Sequence, residues 1–166
     1  MKTIIQIKSI WGSVLFEYES ENNSIKKTLE KAVNTGADLT GANLTGAYLT
    51  DADLRKIQSI TRICPEDGSF IGYKKASNCV VKLEIPAEAK RHNYIGGRKC
   101  RCEFAKVIEI RNSKGHKIKE AIGDWSNKAV YRTGEMVYPD SYDPNPLVEC
   151  SNGIHFFVSH QEAKDW

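Results

Sequence analysis

The sequence predicts an α+β protein in three parts. A small N-terminal strand/helix unit comes first, then one coil of five-residue repeats, then a mostly antiparallel β domain with a short C-terminal helix. Three observations predict this. Apolar and polar residues alternate in TIIQIK (3–8) and VLFEYE (14–19), the two-residue period of half-buried strands. Residues 36–55 read GADLTGANLTGAYLTDADLR, a period of five that neither helix nor flat strand has. From Gly68 onward, short alternating runs are separated by Gly, Pro, Asn and Asp, the pattern of paired strands and turns.

Taken in order, strands over 3–8 and 14–19 flank a turn at Trp11-Gly12-Ser13. Ser24 is placed to cap a helix over 25–33. Its apolar positions Ile25, Leu29, Ala32 and Val33 fall at helical spacing, and Asn34 and Gly36 follow as stop signals. In the repeat, Leu39, Leu44, Leu49 and Leu54 recur every five residues, with Ala37, Ala42, Ala47 and Ala52 two places ahead of each. A chain that turns a square corner every five residues puts each leucine inside and each alanine where the walls crowd. Ile57, Ile60 and Ile63 are placed to begin a second, degenerate turn. Such a layer cannot bury its own ends, because repeat arrays need about three stacked units. It must therefore stack on the strands and helix before it and on the segment after it.

Strands are expected next over 68–76 and 78–86, ended by Pro86, then a basic loop over 87–99 with room for one helical turn. A long strand is expected over 100–111, with Cys100, Cys102, Phe104 and Lys106 on one face. A strand pair or bent strand follows over 129–139, a loop over 140–146 and a buried strand within 149–158. Ser159 and Glu162 have capping-box spacing for a closing helix. The division falls at 1–66 and 67–166, with one continuous globule left open.

Hydrophobic residues are 40% and charged residues 27% of 166, ordinary for a globular chain. The net charge of +3 is too small for the basic stripe of a duplex-nucleic-acid binder. No apolar run approaches the roughly 18 residues of a membrane helix, and the N-terminus alternates rather than forming a signal peptide. The expected setting is therefore cytoplasmic, with no membrane partner. Five cysteines, an odd number, are expected as free thiols. Cys100, Cys102, Cys150 and His155 would be the zinc alternative, but their spacing fits no standard module, so neither metal nor cofactor is expected.

The A-[DN]-L-x-x pattern of 36–55 resembles the pentapeptide-repeat family. That resemblance implies a right-handed, four-sided β-helix with four units per coil, hence one pentapeptide-repeat β-helix coil here. The order IGYKKA, LEIP, GRKCR, AKVIEI, YPDSYD and EC-x-x-GIHFFV resembles a domain of unknown function common in tailed phages, where it often follows pentapeptide repeats. This second resemblance extends over roughly 1–166. It implies a phage accessory protein working in the host cytoplasm and brings no established reaction.

The strongest candidate for chemistry is the loop KRHNYIGGRKCR (90–101). Gly96 and Gly97 allow close backbone approach, Arg98 and Arg101 can fork onto phosphate oxygens, and Lys99 adds a point charge. Arg91 and Lys74 are helpers, and Tyr73 or Tyr94 can stack a base. The competing reading is a solvated charged hairpin. GIHFF (153–157), with His155, resembles the G-x-Y-F…A motif of ADP-ribosyltransferase folds, which implies a strand that helps to hold an ADP-ribose-like molecule. The competing reading is core packing. His92, His116, His155 and His160 supply bases for acid–base catalysis, but none has a partner at a diagnostic spacing.

The expectation is a non-enzymatic phage counter-defence protein that sequesters a small anionic nucleotide messenger, such as a cyclic dinucleotide or an ADP-ribose derivative. Its binding set is Tyr73, Lys74, Arg91, Tyr94, Arg98, Lys99, Arg101 and His155, and a homo-oligomer is expected. The alternatives are an enzyme degrading such a messenger and a protein–protein module inhibiting a host protein.

Overall fold

A computed structural model describes residues 1–9, 11–39, 42–44, 57–58, 61–95, 97–123 and 129–166. Among the described residues the chain is mostly β, with antiparallel sheets and short helices at Ile25–Asn34 and His160–Asp165, in two compact units. The first unit comprises Met1–Arg62, Asn93–Arg98 and Asn145–Glu149. The second comprises Ile63–His92, Lys99–Pro144 and Cys150–Trp166. Two short segments thus return to the first unit, a feature the sequence division 1–66 and 67–166 does not contain.

In the first unit, β1 (Lys2–Lys8) pairs antiparallel with β2 (Val14–Glu21). The turn is closed by Ser9, whose Oγ accepts from the backbone N–H groups of Trp11 and Ser13. Helix α1 (Ile25–Asn34) begins where expected, with Ser24 Oγ accepting from Lys27 N at 3.2 Å. Leu29, Ala32 and Val33 point inward and meet Ile7, Leu39, Ala42, Leu44, Ile57 and Ile95 in one core. The first repeat leucines are therefore interior, and Ala42 is fully buried beside them. Leu49, Leu54, Ala47, Ala52 and Ile60 lie outside the described residues, and so does most of the expected coil.

The second unit carries a five-stranded sheet. β3 (Phe70–Ala76), β4 (Cys79–Ile85), β7 (Ala105–Asn112) and β11 (Met136–Val137) follow one another, and β8 (Lys117–Ile118) also pairs with β7. A three-stranded sheet has the order β12 (Ile154–Phe156), β6 (Cys100–Cys102), β5 (Arg91–Asn93), and β9 (Glu120–Ile122) pairs with β10 (Val130–Arg132). The core draws on both larger sheets: Val81, Leu83 and Ile85, Val107 and Ile110, Cys100 and Cys102, Ile154 and Phe156. Each large apolar side chain so buried contributes about 1.5–3 kcal/mol. β3 and the end of β12 meet at Tyr73 and Phe157, which exchange two backbone hydrogen bonds of 2.7 Å. Gly72 makes this approach workable, because a Cβ there would lie 2.6 Å from Phe156 Cδ2.

Three expectations are corrected. The long strand over 100–111 is two strands in different sheets. The break falls where Glu103 N donates to Lys90 O at 2.9 Å and Phe104 packs its ring on Tyr138, with centroids 5.7 Å apart. The basic loop contains strand β5 rather than a helical turn, because Arg91–Asn93 find a partner in β6. The closing helix α2 (His160–Asp165) follows Ser159, but the Ser159 side chain makes no capping hydrogen bond. All five cysteines are free thiols: Cys64, Cys100 and Cys102 are buried, Cys79 half-buried and Cys150 exposed. Among the described residues no helix is long and apolar enough to cross a membrane.

Candidate functional site

The site begins with strand alternation. β6 turns Cys100 and Cys102 into the core, so Arg101 must face the other way. Across the sheet His155 of β12 lies directly opposite Arg101, since the register pairs Ile154 with Cys102, His155 with Arg101 and Phe156 with Cys100. Opposite residues in an antiparallel pair share a face. From β5, His92 Nε2 lies 3.0 Å from an Arg101 Nη. A polar row, His92–Arg101–His155, therefore crosses three strands. Arg101 is only 3% exposed. Its stem fits because residue 153 is glycine with φ of 140°, and a Cβ there would lie 2.4 Å from Arg101 Cγ and 2.7 Å from Cδ.

Donor logic fixes His92. A guanidinium only donates, so His92 Nε2 accepts and its proton sits on Nδ1. Nδ1–H then donates to Tyr142 Oη at 2.7 Å, and the two rings meet at 5.7 Å. Burial pushes the Tyr142 phenol well above its ordinary range, so it stays neutral as that acceptor. Burial lowers the Arg101 guanidinium, and the Asp143 carboxylate works against that shift.

Lys99 ends the segment before β6 at 8% exposure. Its Nζ donates to Cys150 Sγ at 3.2 Å and lies 4.5 Å from the centre of the Trp166 ring, a cation–π contact. His155 is held well below its ordinary value, at about 4. Burial is the main cause, and Lys99, Lys74 and Arg101 add to it, while a hydrogen bond to the Ser151 backbone works the other way. The ring is neutral at pH 7. Its Nε2 is buried and meets no hydrogen-bond partner among the described residues. Buried polar atoms are costly unless partnered, and this unpartnered neutral imidazole stands directly opposite the Arg101 guanidinium in the β6–β12 pair.

Of the eight residues named from sequence, Arg101 and His155 stand opposite each other, and the charges of Lys99 and Lys74 bear on the same His155 ring. Lys74 Nζ also lies 5.9 Å from the Tyr131 ring centre. Tyr73, on β3, sets its ring edge-on to His160 at 5.3 Å. Arg91 is engaged by carbonyls: Nε donates to Pro65 O, one Nη to Pro86, Ala87 and Ala89, and the other to Gly68. Its guanidinium also covers the Phe70 ring at 5.6 Å. Tyr94 and Arg98 belong to the first unit. There burial, aided by Glu149, raises the Tyr94 phenol, and Arg98 is exposed. Gly96 lies outside the described residues. Sequence reasoning left His92, Tyr142, Asp143, Gly153 and Trp166 out of the set. Gly153 was visible as a glycine before a strand and His92 as a possible base in the basic loop, but their partners lie far along the chain. Among the described residues no three His, Cys, Asp or Glu side chains are grouped to hold a metal.

Fold and site together define a strand-rich α+β protein with a cationic, histidine-bearing cluster on its three-stranded sheet. Residues 28–57 match a family described as pentapeptide repeats (8 copies). Residues 60–163 match a family of unknown function, DUF5758, and the chain belongs to that family. No curated protein and no solved structure matches the chain.

Proposed function

We propose that this protein binds a small anionic ligand of the nucleotide class on its second unit and releases it chemically unchanged. One observation carries the reading: Arg101, nearly buried, stands opposite a neutral His155 whose Nε2 has no partner among the described residues, and the charges of the nearly buried Lys99 and of Lys74 bear on the same ring. An oxyanion supplies the negative charge that these cations lack. The exposed edge of Trp166 beside Lys99 offers an aromatic surface for a base. The phage resemblance makes counter-defence messengers the ligands to try first, namely cyclic dinucleotides and ADP-ribose derivatives, with sequestration as the effect. In the same proposal residues 36–55 form one four-sided coil that acts as a packing layer, and the protein works as a homo-oligomer. The burial of Leu39, Ala42 and Leu44 with Ile7 and Leu29 supports the packing role.

The test is a thermal-shift screen of the full chain against cyclic dinucleotides, ADP-ribose, NAD and cyclic ADP-ribose, followed by chromatography of the ligand recovered after denaturation. A ligand at 100–1,000 times its Kd adds roughly 3–4 kcal/mol of stability, which is readily seen. The shift should shrink in Lys99→Met and Lys74→Met, which keep an aliphatic stem and lose the charge. A new chemical product would replace this reading with the degrading enzyme. No shift with any nucleotide would overturn it in favour of a protein partner.

A further inference from the structure

This inference rests on the anion site proposed above and concerns how that site is loaded. His155 Nε2 is buried with no hydrogen-bond partner among the described residues, while the ring's other hydrogen bond goes to the Ser151 backbone. Since Nε2 is the free position, Nδ1 makes the Ser151 bond. That bond favours the charged ring, so Nδ1 is its donor, and in the neutral ring Nε2 then carries a bare lone pair. An oxyanion is also an acceptor. A lone pair facing an oxyanion is repulsive, and the two can join only if a proton lies between them.

We propose that the site takes up its oxyanion together with one proton, carried on His155 Nε2. The empty site opposes that proton because the ring is buried, Arg101 stands directly opposite it across the β6–β12 pair, and the charges of Lys99 and Lys74 add to the effect. A multiply charged anion cancels that repulsion and offers the acceptor that Nε2–H needs. Water supplies the proton, and the ligand keeps its covalent structure. The remaining groups near the row already have partners. His92 Nε2 is occupied by Arg101 and its Nδ1–H by Tyr142. Asp143 acts on Arg101, and Cys150 receives Lys99. The ligand class follows: an oxyanion of two or more charges, such as a phosphate monoester or a bisphosphate, is favoured over a monoanion. Binding tightens as pH falls.

Sulfate is the probe, because its charge is constant from pH 5 to 8 and any pH dependence then belongs to the protein. Titration of the full chain with sulfate should show association strengthening by about five- to tenfold per pH unit between pH 6 and 5, the slope of one proton taken up on binding. His155→Gln, which keeps a polar side chain but cannot take the proton, should lose that slope. On the parent protein at pH 6, the ¹⁵N resonance of His155 Nε2 should move from the bare to the protonated range as sulfate saturates the site. Binding with the same slope in parent and His155→Gln, or a resonance that stays in the bare range at saturation, overturns the proton uptake alone. Absence of sulfate binding at every pH overturns the anion site itself.

Discussion

Replacing Gly153 with alanine tests the packing that holds Arg101 in place. Two costs add. The backbone at 153 sits at φ of 140°, a region that side chains other than glycine rarely occupy, worth about 1–3 kcal/mol of strain. The new Cβ would also stand 2.4 Å from Arg101 Cγ, 2.7 Å from Cδ and 3.3 Å from the Cys102 carbonyl oxygen. These are atoms of the buried stem rather than a mobile tip. Overpacking of this kind costs about 1–3 kcal/mol. A loss near 3 kcal/mol lowers the Tm of a chain this size by roughly 6–12 °C. Urea unfolding followed by circular dichroism measures it. The two terms separate in a double-mutant cycle with Arg101→Ala, which removes the clash but not the strained backbone. The clash predicts that Gly153→Ala costs at least 1 kcal/mol less in the Arg101→Ala background. An equal cost in both backgrounds, or a loss under about 0.5 kcal/mol in the parent, would refute the claim that Gly153 exists to admit the Arg101 stem.

Other outcomes follow from the same contacts. Tyr142→Phe leaves the His92 Nδ1–H without its acceptor and should cost about 1–2 kcal/mol in urea unfolding, with weaker sulfate binding because Arg101 loses its brace. Arg91→Lys keeps the charge but loses the fork that spans five carbonyls, and should lower stability by about 1–3 kcal/mol while leaving sulfate affinity within twofold. Stability should fall as pH drops from about 6.5 toward 4, because the unfolded His155 ring takes up a proton that the folded ring, at about 4, refuses. After allowance for its partial exposure this term is about 1–2 kcal/mol, and urea titrations at pH 7 and pH 4.5 should show it missing in His155→Gln.

What the sequence revealed was local. The β1–β2 hairpin, the Ser24 cap and helix α1, and the β3–β4 pair were legible because alternation, capping chemistry and turn residues sit within a few positions of one another. The strand expected over 100–111 reads as continuous, yet it divides at Glu103 because Lys90 and Tyr138, remote in sequence, capture that stretch. The site was half legible. Lys74, Lys99, Arg101 and His155 were named for their chemistry, but a basic loop looks the same whether its charges are solvated or buried. The row was hidden because it depends on a register between β6 and β12, strands about fifty residues apart, that no local pattern encodes. Arg91 shows the converse, since a guanidinium that looks suited to phosphate is spent on backbone carbonyls.

The return of Asn93–Arg98 and Asn145–Glu149 to the first unit changes what cutting the chain would do. Ile95 is part of that unit's core, Leu147 packs against it, Ile95 N donates to Pro146 O at 3.0 Å, and Asn93 Nδ2 donates to Thr61 O at 3.0 Å. A protease nick in the exposed stretch 65–69 therefore yields two pieces that are both needed for one interior. The cleaved protein should travel as a single particle in native gel filtration and separate only in denaturant. A gene cut at the same place should give an N-terminal fragment that lacks two plugs of its own core and does not fold until the other fragment is added.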